Sequence, residues 1–167
     1  MKNKFLRIAL SGLLFSFVIF PATSFADISR LSFGVGQYDV INTVDSAADF
    51  RVEYRLSEPM LFDLLTPWVG LEVTSDETVW GGGGLLFDYP IGNRWYLVPS
   101  LGVGLYDRGR SALRLGHVIE FRSQLELAYQ FDNLSRVAFA ISHLSNASLS
   151  SDNPGVEVLT LYWQIPF

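Results

Sequence analysis

The chain has no cysteine, two histidines (His117 and His143) and two lysines, both within its first four residues. Without cysteine there is no disulfide framework and no thiolate metal site, and two histidines cannot build a histidine-rich centre. Neither a metal nor another cofactor is expected. A formal charge of −5 and the scarcity of Lys exclude nucleic acid, whose phosphates must be met by clustered cations. Long apolar runs are missing too. The run from Ile8 to Phe20 has 13 residues, short of the roughly 20 that a membrane-spanning helix needs. Nothing after residue 26 comes closer, so transmembrane helices are excluded there.

What the N-terminus does contain is a targeting pattern. Lys2, Lys4 and Arg7 precede the apolar run, Pro21 breaks it, and Ser24-Phe25-Ala26 places small residues at −3 and −1 of a cut before Asp27. Residues 1–26 read as a cleaved secretory signal, and residues 27–167 as one exported domain. Removing the signal takes three cations and no acid from the totals of 12 and 17. The remaining 141 residues hold 9 Arg and no Lys, for a formal charge of −8.

The rest of the chain alternates with period two. In Ile119 to Phe131 the odd row is Ile119, Phe121, Ser123, Leu125, Leu127, Tyr129 and Phe131, and the even row is Glu120, Arg122, Gln124, Glu126, Ala128 and Gln130. In Ala48 to Leu56 the apolar row is Phe50, Val52, Tyr54 and Leu56, and the charged row is Asp49, Arg51, Glu53 and Arg55. Six further strands are expected at Arg30–Tyr38, Trp68–Val73, Val79–Tyr89, Trp95–Tyr106, Arg136–Ser145 and Glu157–Phe167, separated by turn-rich segments such as Pro90-Ile91-Gly92-Asn93.

A soluble sandwich would hide the greasy face inside, where core volume limits large aromatics. The charges favour the opposite arrangement. A row mixed in sign can pair within a narrow barrel while the aromatic row faces lipid. The expected fold is therefore all-β, an eight-stranded antiparallel transmembrane barrel of the bacterial outer membrane. Its last strand, ending Tyr162-Trp163-Gln164-Ile165-Pro166-Phe167, resembles the C-terminal signature of such barrels. Eight strands enclose an interior that side chains fill, so an aqueous channel is not expected. With both termini periplasmic, the connection between Ser145 and Glu157 faces the cell exterior. The second connection, Ser57 to Thr66, is long for a periplasmic turn, and the third, Thr74 to Thr78, is short for an external loop.

Parity then singles out three polar residues. Val137, Phe139 and Ile141 make the odd positions of the seventh strand lipid-facing, so His143 and Ser145 belong to that row. Leu159, Leu161, Trp163, Ile165 and Phe167 do the same for the eighth strand, whose row begins at Glu157. Residues two apart on a strand lie about 7 Å apart at Cα. A hairpin register centred near residue 150 sets Glu157 opposite His143, with Cβ atoms about 5 Å apart. Ser, His and Glu in that order suit acyl transfer, with Ser145 as nucleophile, His143 as base and later acid, and Glu157 orienting the imidazole. Three interfacial polar residues near headgroups are the bland alternative, and spacing alone leaves it open.

The string His143-Leu144-Ser145-Asn146-Ala147, followed by Asn153-Pro154-Gly155 and Glu157, resembles the outer-membrane lipid A 3-O-deacylase (PagL) family. In that family a His-x-Ser-Asn-Ala run ends the penultimate strand and a Glu 12 residues beyond the Ser opens the last. Ser145 to Glu157 also spans 12. The resemblance implies an eight-stranded barrel with a Ser-His-Glu triad on its lipid-facing surface. It implies hydrolysis of the ester joining a 3-hydroxyacyl chain to the 3-position of lipid A in the outer leaflet. Asn146 and the backbone just after it, Ala147 and Ser148, would supply the oxyanion hole, with Asn153 in support. Gly155 would remain a permissive backbone position before the last strand. One departure is Ser148, where the family commonly has Gly.

The implied partners are lipid A or lipopolysaccharide as substrate, outer-membrane lipid, and the barrel-assembly machinery during biogenesis; a homodimer is compatible with the fold. The competing readings are a non-catalytic barrel serving membrane integrity, adhesion or lipopolysaccharide binding, and a lipid acyltransferase. Two weaker signals remain. Gly81-Gly82-Gly83-Gly84 lacks the Lys-Ser/Thr ending of a phosphate loop and reads as close packing in a narrow barrel. His117 shares the fifth connection with Arg108, Arg110 and Arg114, three cations that could meet the substrate's phosphates.

Overall fold

Period-two alternation can bury one row of each strand only if the strands pair side by side, and pairing leaves edges unless the sheet closes. The computed structural model describes residues 28–60 and 64–167, so the expected signal segment, 1–26, lies outside the described residues. The strands are β1 (Arg30–Tyr38), β2 (Ala47–Arg55), β3 (Thr66–Thr74), β4 (Val79–Leu86), β5 (Tyr89–Pro90), β6 (Trp95–Asp107), β7 (Ile119–Gln130), β8 (Arg136–Ser145) and β9 (Val156–Pro166). Chain neighbours pair antiparallel except β4 and β5, which both pair with β6, and β1 closes the ring against β9. The two-residue β5 continues β4, because Leu86↔Ser100 and Tyr89↔Leu97 keep one register along β6. Nine segments thus make an eight-stranded antiparallel barrel.

Boundaries agree with the sequence pattern to within two residues. The third strand starts at Thr66 rather than Trp68, since Pro67 forgoes a donor yet still accepts a hydrogen bond from Leu56 through its carbonyl. The long second and short third connections are real features, at 56–65 and 75–78.

The interior is ionic. Asp49, Arg51, Glu53, Arg55, Glu120, Arg122 and Glu126 are all buried, whereas Phe50, Val52, Leu125 and Leu127 are exposed on the outer wall. Arg55 grips Glu126 at 3.1 and 2.8 Å and Glu53 at 2.9 Å. Arg51 meets Asp49 at 2.8 Å and Glu72 at 3.0 Å. Arg122 pairs with Glu53 and lies 4.3 and 4.9 Å from the ring centroids of Trp68 and Trp80. Those two indoles account for the inward glycines beside them. A Cβ on Gly102 would come 2.6 Å from Trp68, and one on Gly104 would come 2.6 Å from Trp80. Among the described residues the barrel lumen is filled with side chains.

The two ends differ. At one, Trp95, Tyr129, Phe131 and Trp163 follow one another with ring centroids 5.1 to 5.6 Å apart, an aromatic girdle of the kind found at a membrane interface. At the other, the four connections 39–46, 75–78, 108–118 and 146–155 bond to one another. Ala112 N–H donates to Asp45 at 2.6 Å, Arg110 N–H to Asp76 O at 2.9 Å, and Thr78 Oγ1 to Arg108 O at 3.0 Å. Leu113 and Leu115 turn inward from the longest of these connections and are buried with Leu144 and Val156.

Candidate active site

Strands β8 and β9 form a hairpin whose register runs from Arg136↔Gln164 to Leu144↔Val156 and pairs His143 with Glu157. The pairing centre falls at residue 150. His143 Nδ1 is 3.0 Å from Glu157 Oε1, which makes Nδ1 the protonated nitrogen and leaves Nε2 as the acceptor. Both side chains lie on the outer wall, 44% and 22% exposed. Ser145, half-buried, is the next outward residue of β8 after His143. Its hydroxyl makes no hydrogen bond to His143.

The turn that follows is built from two strained residues. Leu149 N–H donates to Asn146 O at 3.0 Å, and the intervening Ala147 and Ser148 have φ of +50° and +66°. This is a type I′ turn, a geometry that Gly, Asn and Asp adopt readily and that Ala and Ser adopt at a cost. Asn146 anchors it. Its side chain is fully buried, with Nδ2 donating to Leu115 O at 2.7 Å and to Asp152 O at 2.8 Å, and its backbone N–H donates to Asn153 Oδ1 at 2.9 Å. All of its donors are engaged. Ala147 and Ser148 form the exposed part of the turn. Asn146 and Asn153 brace that turn rather than present donors of their own.

Gly155 closes the loop with φ of +69°, and a Cβ placed there would stand 2.5 Å from His143 Cε1. Glycine is needed on both counts. The chain approaches the imidazole edge closely, and only Gly visits this backbone region freely.

The basic connection carries Arg108, Arg110 and Arg114 at the surface. Arg110 pairs with Glu77 at 3.0 Å, and Arg108 donates to Ser111 O within its own loop. Arg110 thus has a carboxylate partner and Arg108 only a backbone carbonyl, and all three arginines, Arg114 included, are exposed. His117 Nδ1 accepts the Ile119 N–H at 2.9 Å and so fixes the entry to β7.

Two contributors carried no sequence motif. The carbonyl of Leu115 acts on Asn146 across 31 positions, a contact that only the closed barrel creates. Ser123 on β7 pairs with His143, so Leu101, Ser123, His143 and Glu157 form one row across β6, β7, β8 and β9. Its only sequence signal was a lone hydroxyl in the apolar row of that strand. From this row an apolar trough of about 960 Å³ opens along the outer wall, with His143 and Glu157 in its lining.

The model of the family described as lipid A 3-O-deacylase (PagL) matches residues 52–166. A curated relative, the lipid A deacylase PagL of Bordetella bronchiseptica (strain ATCC BAA-588 / NCTC 13252 / RB50), is 25% identical over 91 residues, 53% of this chain. The match spans about half of that relative's length, 51%. Among solved structures, the crystal structure of the outer membrane enzyme PagL superimposes with a TM-score of 0.65 at 18% identity, covering 83% of this chain and 99% of that one. A de novo designed transmembrane β-barrel reaches 0.53 at 12% identity, covering 85% and 97%. Both likenesses concern the barrel fold.

Proposed function

The chain belongs to the lipid A 3-O-deacylase (PagL) family, and from that premise we propose that it is a serine esterase of the outer membrane. Its substrate in this reading is lipid A, and the bond cleaved is the ester holding the 3-hydroxyacyl chain at the 3-position. The observation that carries the reading is the 3.0 Å bond between His143 and Glu157 on the outer wall, beside a serine of the same row. A substrate embedded in a leaflet has to be met by a site that faces lipid.

The chemistry follows the roles that the geometry allows. Ser145 Oγ attacks the ester carbonyl and passes its proton to His143 Nε2. Glu157 holds the other ring nitrogen and stabilises the imidazolium. The oxyanion accepts hydrogen bonds from the Ala147 and Ser148 N–H groups, a contribution typically worth roughly 10² to 10³ in turnover per donor. Collapse returns the proton to the sugar oxygen as it leaves and strands the acyl group on Ser145. Water, deprotonated by His143, then frees the hydroxy acid and restores the serine. Ordinary hydrolytic acyl transfer needs no metal or cofactor here.

By strand counting, the end bearing the 146–155 connection faces the cell exterior, which puts the site at the depth of the outer-leaflet esters. Arg114 is available there to a lipid phosphate. In this reading the barrel-assembly machinery inserts the chain, and a homodimer is compatible with it.

Mass spectrometry of lipid A from cells expressing the wild type or Ser145→Ala, at matched outer-membrane abundance, tests the reading. The wild type should remove one hydroxyacyl chain and the variant should lose activity by several orders of magnitude. Identical spectra, with purified protein also inactive, would favour a non-catalytic barrel. Transfer of the chain to another lipid without release of free hydroxy acid would make the protein an acyltransferase.

A further inference from the structure

The end of the barrel opposite the catalytic turn carries more cation than its carboxylates meet. Arg30 opens β1, Arg55 closes β2 and Arg136 opens β8, and all three side chains are buried. Two of them have acidic partners. Arg55 is held by Glu53 and Glu126, and Arg136 takes both oxygens of Asp88 at 2.9 and 2.8 Å, its guanidinium 3.8 Å from the Tyr96 ring centroid. Arg30, 8% exposed, donates instead to the Leu134 carbonyl and to Gln130 Oε1. That same amide oxygen accepts from Arg136 at 3.0 Å, so two like charges share one neutral acceptor. Among the described residues Arg30 has no carboxylate at ion-pair distance. Beside these side chains lies a cavity of about 50 Å³, bordered by Arg30, Arg55, Arg136, Asp88 and Ser57, with room for a few waters or one small oxyanion.

We propose that this cavity binds a phosphate group, free or on a phospholipid headgroup, between Arg30 and Arg136. A buried cation without an anion is costly, and Arg30, Arg136 and Asp88 together leave one positive charge to be met. The cavity is also lined by the apolar side chains of Leu86 and Val98, which exclude water and strengthen the attraction for an anion. Shape favours phosphate over carboxylate. The two guanidiniums start from β1 and β8, on either side of β9, and a tetrahedral oxyanion has oxygens for both forks where a carboxylate fills one. Asp88 opposes an anion least, because both of its oxygens are already on Arg136. By strand counting this end is periplasmic, so the site lies away from the proposed esterase centre and does not depend on it.

The test titrates the purified, folded protein in a maltoside detergent with inorganic phosphate, against sodium chloride of equal ionic strength. Calorimetry reads binding, and loss of the unheated gel form on warming reads stability. Wild type should bind one phosphate saturably and unfold at a higher temperature when it does. Arg30→Gln should weaken binding at least tenfold, and Arg30→Lys, which keeps the charge and loses the fork, by less. Ser57→Asp sets a carboxylate at the cavity edge. It should abolish binding and reproduce, without phosphate, the stabilisation that phosphate gives the wild type, which keeps the proposal testable if the Arg30 variants fail to fold. Three results would overturn it: no saturable binding to the wild type, equal stabilisation by chloride, or binding that survives in Ser57→Asp. Phosphatidylglycerol mixed into the micelles identifies the source. Displacement of inorganic phosphate assigns the site to a lipid headgroup, and undisturbed binding assigns it to the free anion. Ser145→Ala should bind phosphate as the wild type does, so this proposal and the esterase reading fail separately.

Discussion

Two glutamates on opposite faces of the barrel wall meet cations in contrasting ways. Inside, Glu126 takes both nitrogens of Arg55 at 3.1 and 2.8 Å and the Gln164 amide at 2.7 Å. Glu53 is shared by Arg55, Arg122 and the Tyr162 hydroxyl. Outside, Glu157 has one side-chain bond among the described residues, to the partly exposed His143. A carboxylate held by several charged and polar donors acts as a fastener. In the proposed mechanism, one that holds only a partly exposed imidazole orients a base. On that reading the same residue type is structural or chemical according to how fully its partners saturate it.

Exchanging the two carboxylates for their amides should break this contrast most sharply. Glu157→Gln leaves the ring without its anion and should reduce lipid A deacylation by about 10² to 10⁴, with thermal stability nearly unchanged. Glu126→Gln removes one partner of a buried pair and should cost about 3 kcal/mol of stability while sparing turnover in the folded fraction. Heat-modifiability on gels and single-turnover rates measure the two separately. Equal effects on both quantities from both variants would mean that the faces are not functionally distinct.

The contrast was legible in the sequence because period two forces it. Once Asp49, Arg51, Glu53 and Arg55 alternate with Phe50, Val52 and Tyr54, a closed sheet has no choice about which row faces inward. The hairpin register was legible too, since a centre at residue 150 puts His143 against Glu157. Contacts made by closure or between loops were not. Nothing local announces that Leu115 holds Asn146, or that Glu77 holds Arg110. Ser123 has neither period nor motif to mark it, and its place in the site comes from the register of a neighbouring strand. The strain at Ser148 was visible only as a departure from a family habit.

The loop between β8 and β9 offers smaller tests of the outer face. Gly155→Ala forces a methyl toward the imidazole edge at 2.5 Å and a left-handed residue into an L side chain. The ring must shift away from Glu157, and a displacement on that scale can cost about 10² in rate. The interior network lies beyond reach of this change, so barrel stability should fall by no more than about 2 kcal/mol. A large stability loss with normal specific activity would show that Gly155 supports the fold and not the ring.

The smallest expected effect runs in the stabilising direction. Ser148 holds φ of +66° within a type I′ turn, a conformation that costs an L residue roughly 1 kcal/mol and glycine almost nothing. Ser148→Gly should therefore raise stability by up to about 1 kcal/mol, reduced by the greater entropy that glycine has in the unfolded chain. Because the turn is tied through Asn146 to Leu115, Asp152 and Asn153, its backbone path should survive the change and the rate should stay within about twofold. A marked gain in rate would mean that Ser148 strains the oxyanion donors out of position. A marked loss would mean that its side chain, and not only its N–H, meets the substrate.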